Sequence, residues 1–220
     1  MRYQLLCAGV IGLLLSGLAF PQDAKTPGPN RVQLRGDRFK PLTYDEMTPP
    51  QKAMVDHILS GPRGSLDGPY NVLLRSPEMG DLAQQFGASM RYRSSLPRRL
   101  NELAILITAR TWTAQYEWIA HHDAALQAGL SPAICDAIAN GKRPASMQSD
   151  EQAIYNFVTE LYNTKQVSDV TFATVKDKFG ERGIADLLGV IGYYNFVSMV
   201  LNTDRYPVAP GTQPELKPLK

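Results

Sequence analysis

Along most of the chain, apolar side chains recur every three or four residues, and strict alternation of polar and apolar positions is almost absent. That pattern predicts helices and no sheet. Proline and glycine divide it into segments. Thr48-Pro49-Pro50 opens a helix that runs to Leu59, with proline in the first turn where its missing N–H costs nothing. The stretch from Gly61 to Pro69 holds three glycines and two prolines and reads as a long, turn-rich loop. Ser76-Pro77-Glu78 starts a second helix, reaching about Arg91. Pro97 begins a third, in which Leu100, Leu103, Ile105, Leu106 and Ile107 are dense enough for a central, buried position.

A fourth helix spans Ala114 to Ala128 and stops at Gly129, and Ser131-Pro132 starts a short fifth. Ser149 to Asn163 places Ile154, Phe157, Val158 and Leu161 on one face. Ser168 to Phe179 ends at Gly180, and Glu181 to Asn202 is long and apolar. Gly183, Gly189 and Gly192 in this last segment suggest close approach of neighbouring helices. No long-range repeat stands out, and the expected fold class is all-α.

The first residues subtract from this domain. Arg2 precedes an apolar run from Leu5 to Phe20, the pattern of a secretory signal and shorter than the roughly 20 residues a membrane span needs. A cut after Ala19 or Ala24 leaves an extended leader over residues 25–41, a helical domain over residues 42–206 and a proline-rich tail over residues 207–220. By composition neither end buries much. The expectation is an exported protein, periplasmic or secreted.

Composition narrows the chemistry. With 23 basic and 21 acidic residues there is no dense basic stripe for nucleic acid. Of the two cysteines, Cys7 falls in the signal, which leaves Cys135 without an internal disulfide partner. Three histidines, His57, His121 and His122, limit where imidazole chemistry can occur. His57 reads as a solvated or capping residue at a helix end.

On the fourth helix Glu117 and His121 are four residues apart, so their side chains share a face. A carboxylate beside an imidazole on a partly apolar surface orients a general base and raises its pKa. An exposed pair of the same spacing contributes only about 0.3–0.5 kcal/mol. Glu102 on the third helix either pairs with Arg98 behind it or projects toward Glu117 and His121. Spacing does not choose between them.

Glu102-Leu-Ala-Ile-Leu, then Tyr116-Glu117-Trp118 with His121, then Ala124 through Gly129-Leu130-Ser131, resembles the carboxymuconolactone decarboxylase superfamily, which includes the alkylhydroperoxidase D proteins. The likeness is clearest from Leu96 to Asn140. It implies an alkylhydroperoxidase D-like helical bundle that assembles into homo-oligomers, with active sites near subunit contacts. The superfamily's redox branch carries a Cys-x-x-Cys pair whose positions fall here at Ala114 and Glu117. A dithiol peroxidase needs one sulfur to attack and another to resolve, so peroxiredoxin activity by that route is not expected.

The decarboxylase branch has a glutamate four residues before its histidine, as at Glu117 and His121. This implies lyase-type proton transfer on a small carboxylated or carbonyl-bearing molecule. The resemblance suggests His121 as general acid/base, Glu117 orienting it and Glu102 completing a relay, with no cofactor. Arg98, Arg99 or Arg110 would hold a substrate carboxylate, since guanidinium suits bidentate recognition. Tyr116 and Trp118 would line the pocket, and the loop from Gly61 to Val72 would form its rim. Beside a peroxidase-related antioxidant protein of the same superfamily, two other classes stay open. One is a metal site drawing on Glu102, Glu117, His121 and His122, although adjacent histidines diverge by about 100° on a helix. The other is a binding protein that kept the fold and lost the chemistry.

Overall fold

The computed structural model describes residues 32–218. The signal-like segment, Cys7 and the start of the leader lie outside the described residues. Among the described residues there are eight α-helices and no strands. They are α1 (Pro49–Ser60), α2 (Tyr70–Leu73), α3 (Pro77–Arg93), α4 (Arg98–Trp112), α5 (Gln115–Gln127), α6 (Pro132–Ala139), α7 (Ser149–Thr164) and α8 (Asp169–Asp204).

The starts follow the sequence signals. The Thr48 N–H donates to Gln51 Oε1 at 2.8 Å, satisfying a donor left free at the amino end of α1. Proline occupies the first turn of α1, α3 and α6. α8 combines two predicted segments across Gly180, whose φ of 68° interrupts the helical backbone. The single turn α2 has no predicted counterpart. It forms directly after the turn-rich loop, where four residues are too few to show a period.

α4 occupies the centre, packed against α5, α7 and α8. Every residue from Leu100 to Arg110 is buried. Its apolar side chains join those of α5, α7 and α8 in the main core, which includes Trp118, Phe157, Val158, Leu187 and Val197. A smaller core joins α1, α2 and the preceding segment through Met54, Val55, Ile58, Leu73 and Leu74.

A helix buried all round obliges its polar residues to find partners. Asn101 donates from Nδ2 to the Met90 carbonyl at 3.2 Å and accepts from Ser94 Oγ at 3.1 Å. Thr108 Oγ1 donates to the Ala104 carbonyl at 2.9 Å. Glu102 faces His121. Arg110 has no hydrogen-bond partner at any guanidinium nitrogen among the described residues.

α8 has an apolar 18-residue window of mean hydropathy 1.6, enough by composition for a membrane span, but half of that window is buried inside the bundle. Among its glycines, Gly189 packs against α3, where a Cβ would collide with the Met90 sulfur, whereas Gly192 meets nothing within 4 Å. The two ends are tied down more firmly than their composition suggests. The N–H groups of Asp37 and Phe39 donate to Asp204 Oδ1 at 3.2 and 2.9 Å. At the other end Leu216 is only 3% exposed. Its N–H donates to Gln115 Oε1 at 3.1 Å, and Gln115 Nε2 donates back to its carbonyl. The tail therefore lies across the start of α5.

Candidate active site

The short connection Thr113-Ala114, with Thr113 at a left-handed φ of 49°, folds α5 back onto α4. This brings Glu102 of α4 to the Glu117–His121 face of α5. His121 Nδ1 lies 2.6 Å from Glu102 Oε2, and its Nε2 lies 3.2 Å from Glu117 Oε1. The three side chains are 4–5% exposed. The ion pair of Glu102 with Arg98 is the looser contact, at 3.9 Å with Arg98 largely in solvent. Between the two readings of Glu102, the geometry gives the closer contact to His121.

Only an imidazolium carries N–H at both ring nitrogens. A cation between two carboxylates is therefore the state that satisfies both contacts. Burial alone disfavours that charge, but the hydrogen bonds and charges of Glu102 and Glu117 together outweigh it and hold the His121 pKa above the usual imidazole value. The Tyr194 ring stands edge-on to the imidazole, with centroids 4.8 Å apart, and fixes its rotation. Burial and the nearby Glu117 keep the Tyr194 phenol neutral, raising its pKa well above the ordinary value.

Glu117 and His121 open into a cavity of about 70 Å³ whose walls include Arg63, Arg91, Tyr116 and Tyr193. By volume that holds roughly two water molecules or the reacting end of a small organic molecule. Asp67, Gly68, Pro69 and Tyr70, from the glycine- and proline-rich loop, complete the rim. Gly87 lets α3 pass the Tyr193 ring, since a Cβ there would penetrate it. On the other side of the imidazole, Glu102 borders a second cleft of about 380 Å³, shared with Arg91 and Arg98. The Glu117–His121–Glu102 chain thus links two compartments.

The cavity's cations are Arg63 and Arg91. Arg63 Nη2 donates to the Tyr193 hydroxyl at 3.2 Å, and its Nε is buried without a partner. Burial opposes both charges, but neighbouring tyrosines, and for Arg91 also Glu102 and Glu117, hold each proton more firmly. These two arginines were not singled out from sequence. Arg63 had a usable signal, a lone cation in the loop expected to form the rim. Tyr193 and Tyr194, a pair inside an apolar helix, had a weaker one.

The other candidates fall elsewhere. Arg99 is occupied by Asp150 at 2.7 Å and by Glu151, so its guanidinium is not at the cavity. Trp118 is fully buried and donates from Nε1 to Glu215 Oε2 at 2.8 Å, away from the cavity. Tyr116 does line it, with its ring 4.6 Å from that of Tyr206. His122 turns to Glu215, at 2.7 Å, and does not share a site with His121. His57 sits exposed beside Asp81 at the end of α1. Cys135 is a free, buried thiol pushed up to about 11 by burial.

None of the curated proteins searched matches the chain. Residues 77–160, which run from the start of α3 into α7 and include Glu102, Glu117 and His121, match the model of the carboxymuconolactone decarboxylase family, which supports that superfamily for the helical core.

Proposed function

We propose that the cavity performs thiol-independent proton transfer on a small carboxylated or carbonyl-bearing molecule, in the manner of a decarboxylase or of a lactone or keto-acid isomerase. The carrying observation is the His121 imidazole held between Glu117, which faces the cavity, and Glu102, which borders the cleft behind it. A substrate carboxylate would be received by Arg63 and Arg91, the cations that line the cavity. If that substrate loses carbon dioxide, its electron pair passes into a neighbouring carbonyl and a proton must be delivered to carbon. The Glu117–His121 couple supplies it, and Glu102 steadies the imidazolium and returns the proton from the cleft side.

Nothing at the dithiol positions competes with this reading, since they hold Ala114 and Glu117. Assembly into homo-oligomers belongs to the same proposal. α3 presents Met79, Leu82 and Phe86 to solvent, and Phe86 stacks edge-on against Tyr193 of the cavity. A copy docked on that face would sit beside the site.

The test is turnover of a panel of small β-keto acids and unsaturated lactone carboxylates in deuterated water, followed by NMR for decarboxylation or deuterium incorporation. For a responsive compound, Glu117→Gln and His121→Ala should each slow the reaction by about 10²–10⁴-fold. Variants as fast as the wild-type protein would remove the acid/base site.

A further inference from the structure

Arg110 is the one polar residue of the buried α4 run left without a partner. The residue is 4% exposed, and among the described residues Nε, Nη1 and Nη2 all lack a hydrogen-bond acceptor. A guanidinium offers five N–H donors and does not deprotonate in proteins, so leaving it unpaired under cover is costly. Burial holds its pKa below the usual guanidinium value. Glu102 cannot serve. It lies eight residues earlier on the same helix, about 12 Å along the axis and rotated by roughly 80°.

Arg110 instead borders a cavity of about 410 Å³ formed between α4, α6, α7 and the turn after α6. Lys142 and Arg143 line the same cavity, and none of its lining residues is acidic. Arg143 is held in place by Asn156 Oδ1, to which its Nη1 donates at 2.7 Å, and by the Tyr155 ring, 5.1 Å away. Thr111, Thr159 and Asn163 add neutral hydrogen-bonding groups, while Ile107, Ile138 and the Tyr155 ring make an apolar wall. Three cations around a concave, partly apolar space, one of them buried and unpaired, form a site built for an oxyanion attached to a hydrophobic body.

We propose that this cavity is a second ligand site, separate from the His121 cavity, that binds a small organic anion. Its carboxylate or phosphate sits on Arg110, flanked by Lys142 and Arg143, and its body rests on Ile107, Ile138 and Tyr155. The volume falls in the range of ordinary small-molecule sites. The proposal does not depend on the chemistry at His121.

The experiment is isothermal titration of the purified chain with benzoate, phenyl phosphate and inorganic phosphate, with benzyl alcohol as the uncharged control. Benzoate or phenyl phosphate should bind, more tightly than inorganic phosphate and more weakly as salt rises, and benzyl alcohol should not. Preference between the first two distinguishes a carboxylate ligand from a phosphate one. Arg110→Met should weaken binding about tenfold or more, the usual effect of losing a charge-assisted bidentate contact. Lys176→Gln, on the exposed surface of α8 and lining neither cavity, should leave it unchanged.

Folding supplies an independent reading. Without anion, Arg110→Met should melt no lower than the wild-type protein, because it removes an unpaired buried charge. With the bound anion present, the wild-type protein alone should gain stability. Absence of binding to all three anions, binding indifferent to Arg110→Met, or an equal loss of binding in Lys176→Gln would each overturn the site. So would a variant that binds nothing and sediments as a smaller species than a wild-type protein that also binds nothing. That result would assign the cations to a contact between copies.

Discussion

Replacing Glu102 by Gln isolates the charge of one carboxylate while leaving an oxygen for the His121 Nδ1–H to meet. In the folded protein the two groups are 2.6 Å apart and nearly excluded from solvent. Opposite charges centred about 4 Å apart attract by roughly 4 kcal/mol at an effective dielectric of about 20. Desolvation of both partners offsets much of this, and Glu117 remains to support the cation. A net loss of about 1–3 kcal/mol of stability is expected near pH 6, in the range of a hydrogen bond to a charged group.

The pH dependence carries the reasoning. The folded-state pKa of His121 is raised, so the stabilisation by its carboxylates is fully present below the unfolded value of about 6.5 and is lost as pH rises through the folded value. Glu102→Gln should lower that folded pKa. Its destabilisation should then be greatest near pH 6 and diminish into the alkaline range. The difference between the two plateaus should amount to about 1.4 kcal/mol for each unit by which the His121 pKa falls. Urea unfolding from about pH 5.5 to 9.5 measures the first quantity, and the His121 ring resonances of both proteins measure the second. A destabilisation that stays flat or grows with pH would refute the charged pair, as would a wild-type His121 that titrates at or below about 6.5.

The remaining expectations are simpler. Leu216→Ala should cost about 2–3 kcal/mol in chemical unfolding, since the side chain is 3% exposed and its removal leaves a cavity under the tail. A loss below about 0.5 kcal/mol, the level of an ordinary surface substitution, would mean that the tail does not dock. Cys135 should resist maleimide at pH 8 in the folded protein and react once unfolded, because it is buried and its thiol is pushed up to about 11. Rapid labelling under native conditions would show that α6 opens. Gly87→Ala should destabilise by about 1–3 kcal/mol, the cost of overpacking, through its collision with Tyr193. Unchanged stability would show that α3 can shift away.

The helices were legible because their limits are written locally. Ser76-Pro77, Ser131-Pro132 and Thr48-Pro49 each place a proline in the first turn directly after the N-cap residue, and Gly129 and Gly180 adopt φ values of 91° and 68° where segments end or break. The ends were not legible, because what fixes them is remote. Leu216 reaches Gln115 across 101 residues, and Phe39 reaches Asp204 across 165. Composition measures what a segment can do alone, and a proline-rich tail with two leucines discloses nothing of the groove that receives Leu216.

The site divides along the same line. Glu117 and His121 are close because a helix places residues four apart on one face, which holds wherever the helix packs. Glu102 needed one further fact, that α5 folds back on α4, and the short connection between them supplies it. The arginines needed more. Arg98, Arg99 and Arg110 are equally cationic in sequence, but Asp150 and Glu151 of α7 neutralise Arg99, while no acceptor among the described residues reaches Arg110. Whether an arginine is free to bind a ligand depends on which carboxylates the rest of the fold brings to it, and that is settled by tertiary packing. The same packing that engages Arg99 leaves Arg63 and Arg91 at the small cavity and Arg110 at the large one. One helical core thus carries two separated groups of cations, and the proposed proton transfer belongs to the group beside His121, whose imidazole lies between two carboxylates.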